Sequence, residues 1–534
     1  MLLSQKFRDT VYASPLYRAS LKGRAPEGLR PLPPDPWAGD PRNGLGIRHG
    51  VFPLGPALID AGNSPWDAPA VRGRALEALH SFAWMRDLRA DPAPPAKDRA
   101  RFLVDDWINR FGSWDRLFWR PDILGDRLAQ WILAAEFLLT GAAEGFRHRF
   151  LDAVGMQARH LLRTADAAAP GEPQIAAAQG LIAIGLSLPG LDKARQQGCA
   201  LLDRAVADQV LPDGGHVSRS PSVLLSVLRR LVVTRGLLAG AHEPVPEPLQ
   251  HAIDRMVPLL RALRLGDGAL VRFNGGHEED ASTLDRLITL SGIRARPLNN
   301  AAHAGFQRVI ANRLILIADL GAPPPPDLDG DAHAGLGSFE FSVGKQRLVV
   351  NCGSHREEGS HWHPVLRNSA AHSTLAVGDT NMIALATADT PAGPPPQVRA
   401  DRQEGEGSTL LTLSHDGYLA AYGLAHKRDL FVSADGADLR GCDQLTGSGV
   451  APFNIRFHLH PSLNVSVIAG GDAVLIKPPK GKGWRFRARG ATLEIKDSVY
   501  FENGMHPRRT EQIVLIGHTD GQGATVKWAF RTEA

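Results

Sequence analysis

From about residue 68 to residue 265 the apolar positions recur every three or four residues, as in "AVRGRALEALHSFAWMRDLRA", "LGDRLAQWILAAEFLLTG" and "VLLSVLRRLVVTRGLLAG". The spacing predicts roughly seven or eight amphipathic helices, separated by breaks such as "ADPAPPAKD" and "LPDGGH". Helix pairs repeated at this length build a bundle or a toroid. Trp84, Trp107, Trp114, Trp119 and Trp131 then either fill its core or line a sugar-binding groove. Beyond about residue 300 the period becomes two, in "RLILIADL", "GSFEFSVGKQRLVVNCG", "NVSVIAGGDAVLIKPP" and "ATLEIKDSVYF", which predicts antiparallel β-structure. "GAPPPPDLDGD" reads as a surface loop within this half, because four prolines cannot donate to a ladder. The boundary falls in "RARPLNNAAHAG". An N-terminal extension (1–67), a helical domain (68–300) and a β-domain (301–534) are the expected organisation.

At 534 residues the chain is too long for one ordinary core, which agrees with a multidomain α + β protein. A hydrophobic content of 43% with 22% charged residues excludes disorder over most of the length. The net charge of +4 is scattered, with no stripe of Lys and Arg interleaved with aromatics, so nucleic acid is not an expected partner. A mildly basic surface favours an anionic ligand. Cys199, Cys352 and Cys442 are odd in number and far apart, and buried free thiols are expected rather than a disulfide framework. No apolar run reaches about 20 residues, so no transmembrane segment is expected. The first residues lack an apolar signal core, which makes the cytoplasm the default location and the periplasm the alternative.

Histidines cluster in the β-half, in "DAHAGLGSFEF", "VVNCGSH", "HWHPVLRNSAAHSTLAV" and "IRFHLHPS". If they lie in strands, His361 with His363 and His458 with His460 each put two rings on one face. His333 stands before a strand among alanines and glycines, as if space were being kept around it.

Taken together with "HSFAWMRDL", "WRPDILGDRLAQWIL", "DGGHVSRSPSVLL", "FNGG" and "GWRFRARG", these motifs resemble the heparinase II/III family of polysaccharide lyases, in the same order and along most of the chain. The resemblance implies an incomplete (α/α) toroid followed by an antiparallel β-sandwich. It also implies β-elimination on a uronate-containing glycan. That chemistry needs a group to neutralise the uronate carboxylate, a base for the C5 proton and an acid for the departing O4. The family's metal position maps onto His333, Asn351 and His372, implying one divalent ion, Zn or Ca. An amide in place of a carboxylate makes a poorer zinc site, and a buried hydrogen-bonded cluster of the three is the alternative.

The chain departs from the family where the chemistry is done. The first histidine of the family's His-X-His pair is Asp331, the family tyrosine falls on Val223, and its partner falls at Glu172 or Pro173. Replacement catalytic groups are sought in His216 and Arg219 of "DGGHVSRSP", where Arg219 is either a carboxylate clamp or a structural ion pair, and in Tyr418 with His415 of "LSHDGYLAAYG". Arg272 and Asn274 of "VRFNGG", and Arg367, are candidates for substrate binding; a turn and a brace for His372 are the alternatives. The expected function is cleavage of an acidic polysaccharide or oligosaccharide. Two competitors stand beside it: a non-catalytic acidic-glycan-binding protein, and a glycoside hydrolase using Asp331 and Glu172. The sequence leaves the oligomeric state open.

Overall fold

The structure, a computed structural model, describes residues 2–23, 26–55, 57–355, 360–387, 390, 392–504 and 506–533. Helices occupy the chain up to Ala281–Ser291, interrupted by a hairpin of Val51–Leu54 with Ala57–Asp60 inside the expected extension. From Asn300 onward the chain is mainly antiparallel β, with short helical turns at Trp362–Leu366 and Leu419–Tyr422. Two compact units form, Met1–Gln209 with Val227–Ile253 and Val210–Ser226 with Asp254–Ala534. Among the described residues no helix is long and apolar enough to cross a membrane.

In the first unit the helix Glu172–Ser187 ("EPQIAAAQGLIAIGLS") is apolar on nearly every side and is buried from Ile175 to Ser187, as expected for a central helix. It crosses Pro121–Leu133 so closely that a Cβ on Gly180 would lie 2.4 Å from the Gly125 Cα. Trp84, Trp107, Trp119 and Trp131 are core residues, while Trp114 is half-buried against Tyr12. Arg127 is fully buried, its guanidinium 4.0 Å above the Trp107 ring and its Nε donating to Gln157 at 2.8 Å. The tryptophans therefore build the helical core.

The second unit holds two sheets. One runs in the order Thr492–Phe501, Pro507–His518, Pro452–Leu459, Gln346–Val350, Phe339–Val343, Leu314–Asp319, Phe306–Ala311, Asn300–Ala301, with Leu375–Val377 also paired to Pro452–Leu459. The other runs Asn464–Ile468, Ala473–Lys477, Trp484–Arg489, Ala524–Thr532, Asp438–Gly447, Leu424–Val432, Ser408–His415, Val398–Gly405. Phe339 and Phe341 of the first meet Trp528 and Phe530 of the second at ring separations of 5.7 and 5.5 Å, which makes the pair a sandwich with one apolar core. The proline run lies outside the strands, with a single turn at Pro326–Leu328.

Two expectations fail locally. His361 and His363 do not share a strand face, since Trp362–Leu366 is a short helix. All three cysteines are free, yet Cys352 is buried whereas Cys199 and Cys442 are only half-buried.

The sandwich also encloses charge. Asp443 accepts from Arg428 Nε (2.7 Å), Arg428 Nη2 (3.1 Å) and Trp528 Nε1 (2.8 Å), and lies 2.9 Å from His426 Nε2. Burial pushes the Asp443 carboxyl up, but Arg428 and His426 outweigh it and hold it below the usual carboxylate range. A carboxyl depressed in the fold contributes stability above its unfolded value, near pH 4, and that stability is lost as pH falls. Asp443→Ala is expected to lower unfolding stability by about 3–5 kcal/mol, because it strands a buried guanidinium. Asp443→Asn should in addition flatten the acid limb of stability against pH, both read by urea unfolding.

Candidate functional site

Most of the residues singled out from the sequence lie in the second unit, many of them in loops whose paths follow from local backbone demands. "LPDGGH" makes a tight turn, with Leu211 N–H donating to the Gly215 carbonyl at 2.8 Å. Gly214 has φ +83° there and no room for a side chain, since a Cβ would lie 2.0 Å from the Arg255 carbonyl oxygen. The turn buries His216, whose Nδ1 accepts the Ser218 N–H at 3.1 Å.

Arg219, at φ +59°, is almost fully buried. Its Nε donates to Ala304 O (2.9 Å), Nη1 to Gly321 O (2.9 Å) and Ala322 O (2.8 Å), and Nη2 pairs with Asp319. Nothing in that fork is left to clamp a uronate. Arg219 is the structural ion pair, not the substrate cation.

Asn274 turns the "VRFNGG" loop at φ +44°. Its Nδ2 donates to Asp319 Oδ2 at 3.1 Å and its Oδ1 accepts the His333 N–H at 3.2 Å. Asp319 thus gathers Arg219 and Asn274, and Asn274 in turn fixes His333. Arg272 is fully buried 3.8 Å from the Tyr500 ring centroid, its backbone N–H donating to Glu340 at 3.3 Å. Its Nε and Nη1 have no hydrogen-bond partner among the described residues. It lies too deep to meet a substrate. Arg367 donates to Ala332 O (2.9 Å), Ala386 O (3.0 Å) and Asp329 O (3.2 Å), so it braces the loop carrying His333.

His333 and His372 stack, with ring centroids 5.1 Å apart and planes 18° apart. His333 Nδ1 and both ring nitrogens of His372 lack hydrogen-bond partners among the described residues. Burial, then the nearness of His372 and Arg367, keeps His333 far below the ordinary imidazole value, and burial takes His372 down to about 3. Both rings are neutral at pH 7. The small neighbours have a definite purpose, because a Cβ on Gly335 would stand 2.5 Å from the His372 ring. The space is kept for the second histidine.

Asn351 does not complete a metal site with them. Its Nδ2 donates to Glu340 at 3.3 Å and its Oδ1 accepts the Ser373 N–H at 2.9 Å. Among the described residues no group of three or more His, Cys, Asp or Glu side chains can hold a metal ion. Two neutral imidazoles and an amide already engaged on both sides offer no charge, so the donor set does not fit a resident Zn or Ca.

Tyr418 and His415 belong to the sandwich interior. The Tyr418 hydroxyl donates to the Leu375 carbonyl at 3.0 Å, and burial raises its pKa. His415 Nε2 lies 3.0 Å from His426 Nδ1, which continues the chain to Asp443, and burial holds His415 well below the ordinary imidazole range. Neither can exchange a proton with a sugar in solvent. Val223 lies half-buried near the start of the helix Pro221–Gly240, and Asp331 stands over the turn at Gly275. In the first unit Glu172 pairs with Arg230 (3.0 Å), which also holds Asp126. A carboxylate so paired is a poor general acid, which weakens the hydrolase alternative.

Sequence reasoning missed Asp319 and Glu340. Asp319 ends the strand read from "RLILIADL", where a lone acid looks like an ordinary strand end. Glu340 alternates with phenylalanines in "SFEF", the pattern of a solvent-facing position. It is instead buried beneath the 266–272 segment, which also places Arg272 on it.

The family's N-terminal pattern, Heparinase II/III N-terminus, matches residues 103–293, and Heparinase II/III-like, C-terminal, matches 293–529. The chain belongs to the heparinase II/III family. It is 32% identical to FtsZ-localized protein C of Caulobacter vibrioides, over 97% of this chain and 92% of that protein. A crystal structure of heparinase III matches 99% of this chain and 91% of its own with a TM-score of 0.76 at 14% identity. The heparan sulfate lyase HepC of Pedobacter heparinus, in a mutant form, matches 97% and 87% with a TM-score of 0.65 at 16% identity. These likenesses establish the fold, a toroid followed by a β-sandwich.

The stacked pair supports two expectations. Gly335→Ala should cost about 1–3 kcal/mol in urea unfolding, from overpacking against the ring, and most of that loss should vanish in a His372→Ala background. A histidine depressed in the fold contributes stability above its unfolded pKa of about 6.5 and loses it as pH falls toward about 3. His372→Gln should therefore lose less stability than the wild type between those limits.

Proposed function

We propose that this chain is a non-catalytic member of the heparinase II/III family that works at assemblies of the division protein FtsZ. The observation that carries the first half is the fate of the proton-transfer groups. The family tyrosine position is Val223, the family histidine is Asp331, and the nearest replacements, Tyr418 and His415, are locked in the sandwich interior. β-Elimination needs a base and an acid within hydrogen-bond reach of the sugar, and the buried His216, His415 and Tyr418 do not supply them. The second half is supported by the relative in Caulobacter vibrioides, whose name places it with FtsZ and which aligns along nearly the whole chain.

A second reading, action on or binding of an acidic uronate-containing glycan, is favoured by the neutral His333 and His372 rings with unsatisfied nitrogens beside the Asn274 turn. The buried pair could accept a proton only after opening of the loops around it.

Two measurements separate these readings. Ultraviolet absorbance during incubation with heparan, chondroitin, hyaluronan, alginate and bacterial acidic exopolysaccharides is expected to stay flat, since no unsaturated uronate forms. Purified protein is expected to pellet with GTP-assembled FtsZ and to remain in the supernatant without it. A rise in absorbance on any one substrate would return the chain to the lyases, and no co-pelleting would remove the FtsZ reading.

A further inference from the structure

The outward face of the eight-stranded sheet carries an open hollow of about 730 Å³, and none of the candidate site residues lines it. Four cations, Arg440, Arg487, Arg489 and Lys527, line it against two carboxylates, Asp429 and Asp472. The lining follows from strand alternation. Arg487 and Arg489 point outward from Trp484–Arg489, while Trp484 and Phe486 of the same strand point into the sandwich.

The charges are arranged against the interests of the fold. Arg489 is directly opposite Lys527 in the register, and Arg485 directly opposite Arg531. Like charges at directly paired positions destabilise a sheet. Arg485 and Arg531 are relieved by Glu533 (2.7 Å) and Asp438 (3.1 Å), and Arg440 also pairs with Asp438. Arg487, Arg489 and Lys527 have no such relief, for they make no ion pair or side-chain hydrogen bond among the described residues. Of the two lining carboxylates, Asp429 is already taken by Thr412 (2.7 Å) and Lys427 (3.5 Å).

We propose that this hollow docks an extended acidic peptide segment of a partner protein, its carboxylates meeting Arg487, Arg489 and Lys527. The proposal is independent of the FtsZ reading. Residues two apart on a strand stand about 6.8 Å apart on one face, so alternate acidic side chains of an extended peptide match the Arg487 to Arg489 step. Directly opposed strand residues are about 5 Å apart, which lets one carboxylate bridge Arg489 and Lys527. Phe431, Cys442 and Ala529 supply apolar contact between the cations. A sugar chain would want open aromatic faces to stack on; of the two aromatic residues lining the hollow, Trp528 is buried with its Nε1 on Asp443, and Phe431 already has Arg440 above it at 5.7 Å.

The test uses fluorescence anisotropy of a labelled peptide of six Glu-Val repeats with the full chain, and a Lys-Val peptide as control. Saturable binding that weakens with added NaCl is expected, with no binding of the control. The triple variant Arg487→Gln, Arg489→Gln, Lys527→Gln should lose at least tenfold in affinity. Arg489→Glu should lose affinity as well, while melting at the same or a higher temperature, because it converts the Lys527 clash into a pair. Failure of the Glu-Val peptide to bind, equal binding of the control, or unchanged affinity in the triple variant would overturn the proposal. Binding of polygalacturonate, lost in the triple variant, with none of the peptide, would assign the hollow to an acidic glycan and overturn it too.

Discussion

The loops of the second unit depend on the carboxylate of Asp319. It receives the guanidinium of Arg219 and the amide of Asn274 at once, and both donors sit at positive φ, a conformation that side chains of L-residues adopt reluctantly. The backbone strain is tolerated because the three groups are buried and mutually satisfied; breaking such a pair by removing one partner costs about 3–5 kcal/mol. Through this one acid, the 210–226 segment, the turn at 273–276 and the end of the strand Leu314–Asp319 are fixed together. His333 is then placed by a single further hydrogen bond, from its N–H to Asn274.

The same use of buried charge recurs. Glu340 is the anchor for Arg272 and for Asn351, and Asp443 is the anchor for Arg428, His426 and Trp528. Arg428 reaches on to the carbonyls of Gly337 (2.9 Å) and Ser373 (3.0 Å), which flank the two stacked histidines. A buried ion is useful here because it fixes geometry; its net contribution to stability is modest once desolvation is counted. The consequence for chemistry is direct. Arg219, Arg367 and Arg428 have given their donors to carbonyls and carboxylates, and have none to offer a substrate.

The broad division of the chain was legible because periodicity reports burial: helices need an apolar stripe and sandwiches alternate, and the switch from one to the other near residue 300 is plain. The stacked His333 and His372 were legible as a pair only through the family's motif, and the glycine beside them through the ring it makes room for. What stayed hidden were functions that depend on depth. "LSHDGYLAAYG" looks like a loop carrying an acid and a base, yet His415 is the last inward position of its strand, and Tyr418 turns into the core after the strand ends, its hydroxyl on the Leu375 carbonyl. Arg219 reads equally well as a clamp or a strap, since sequence does not count how many carbonyls a guanidinium will meet. "SFEF" hides Glu340 because a strand covered on both faces has no solvent side for its alternation to mark.

This distribution sets which parts of a lyase scaffold are held by the fold itself. The groups that fix the loops, Arg219, Asn274 and Asp319, are buried and coupled, and replacing any one strands its partners. The positions at which the chain departs from the family's pattern lie nearer the surface: Val223 and Asp331 are half-buried, with solvent to absorb a change of charge or shape. Substitutions at partly exposed positions generally cost less than breaking coupled buried groups, which costs about 3–5 kcal/mol. Valine and aspartate at these two positions are thus compatible with an intact framework, since the physics that retains the framework is packing and ion pairing and makes no reference to the reaction.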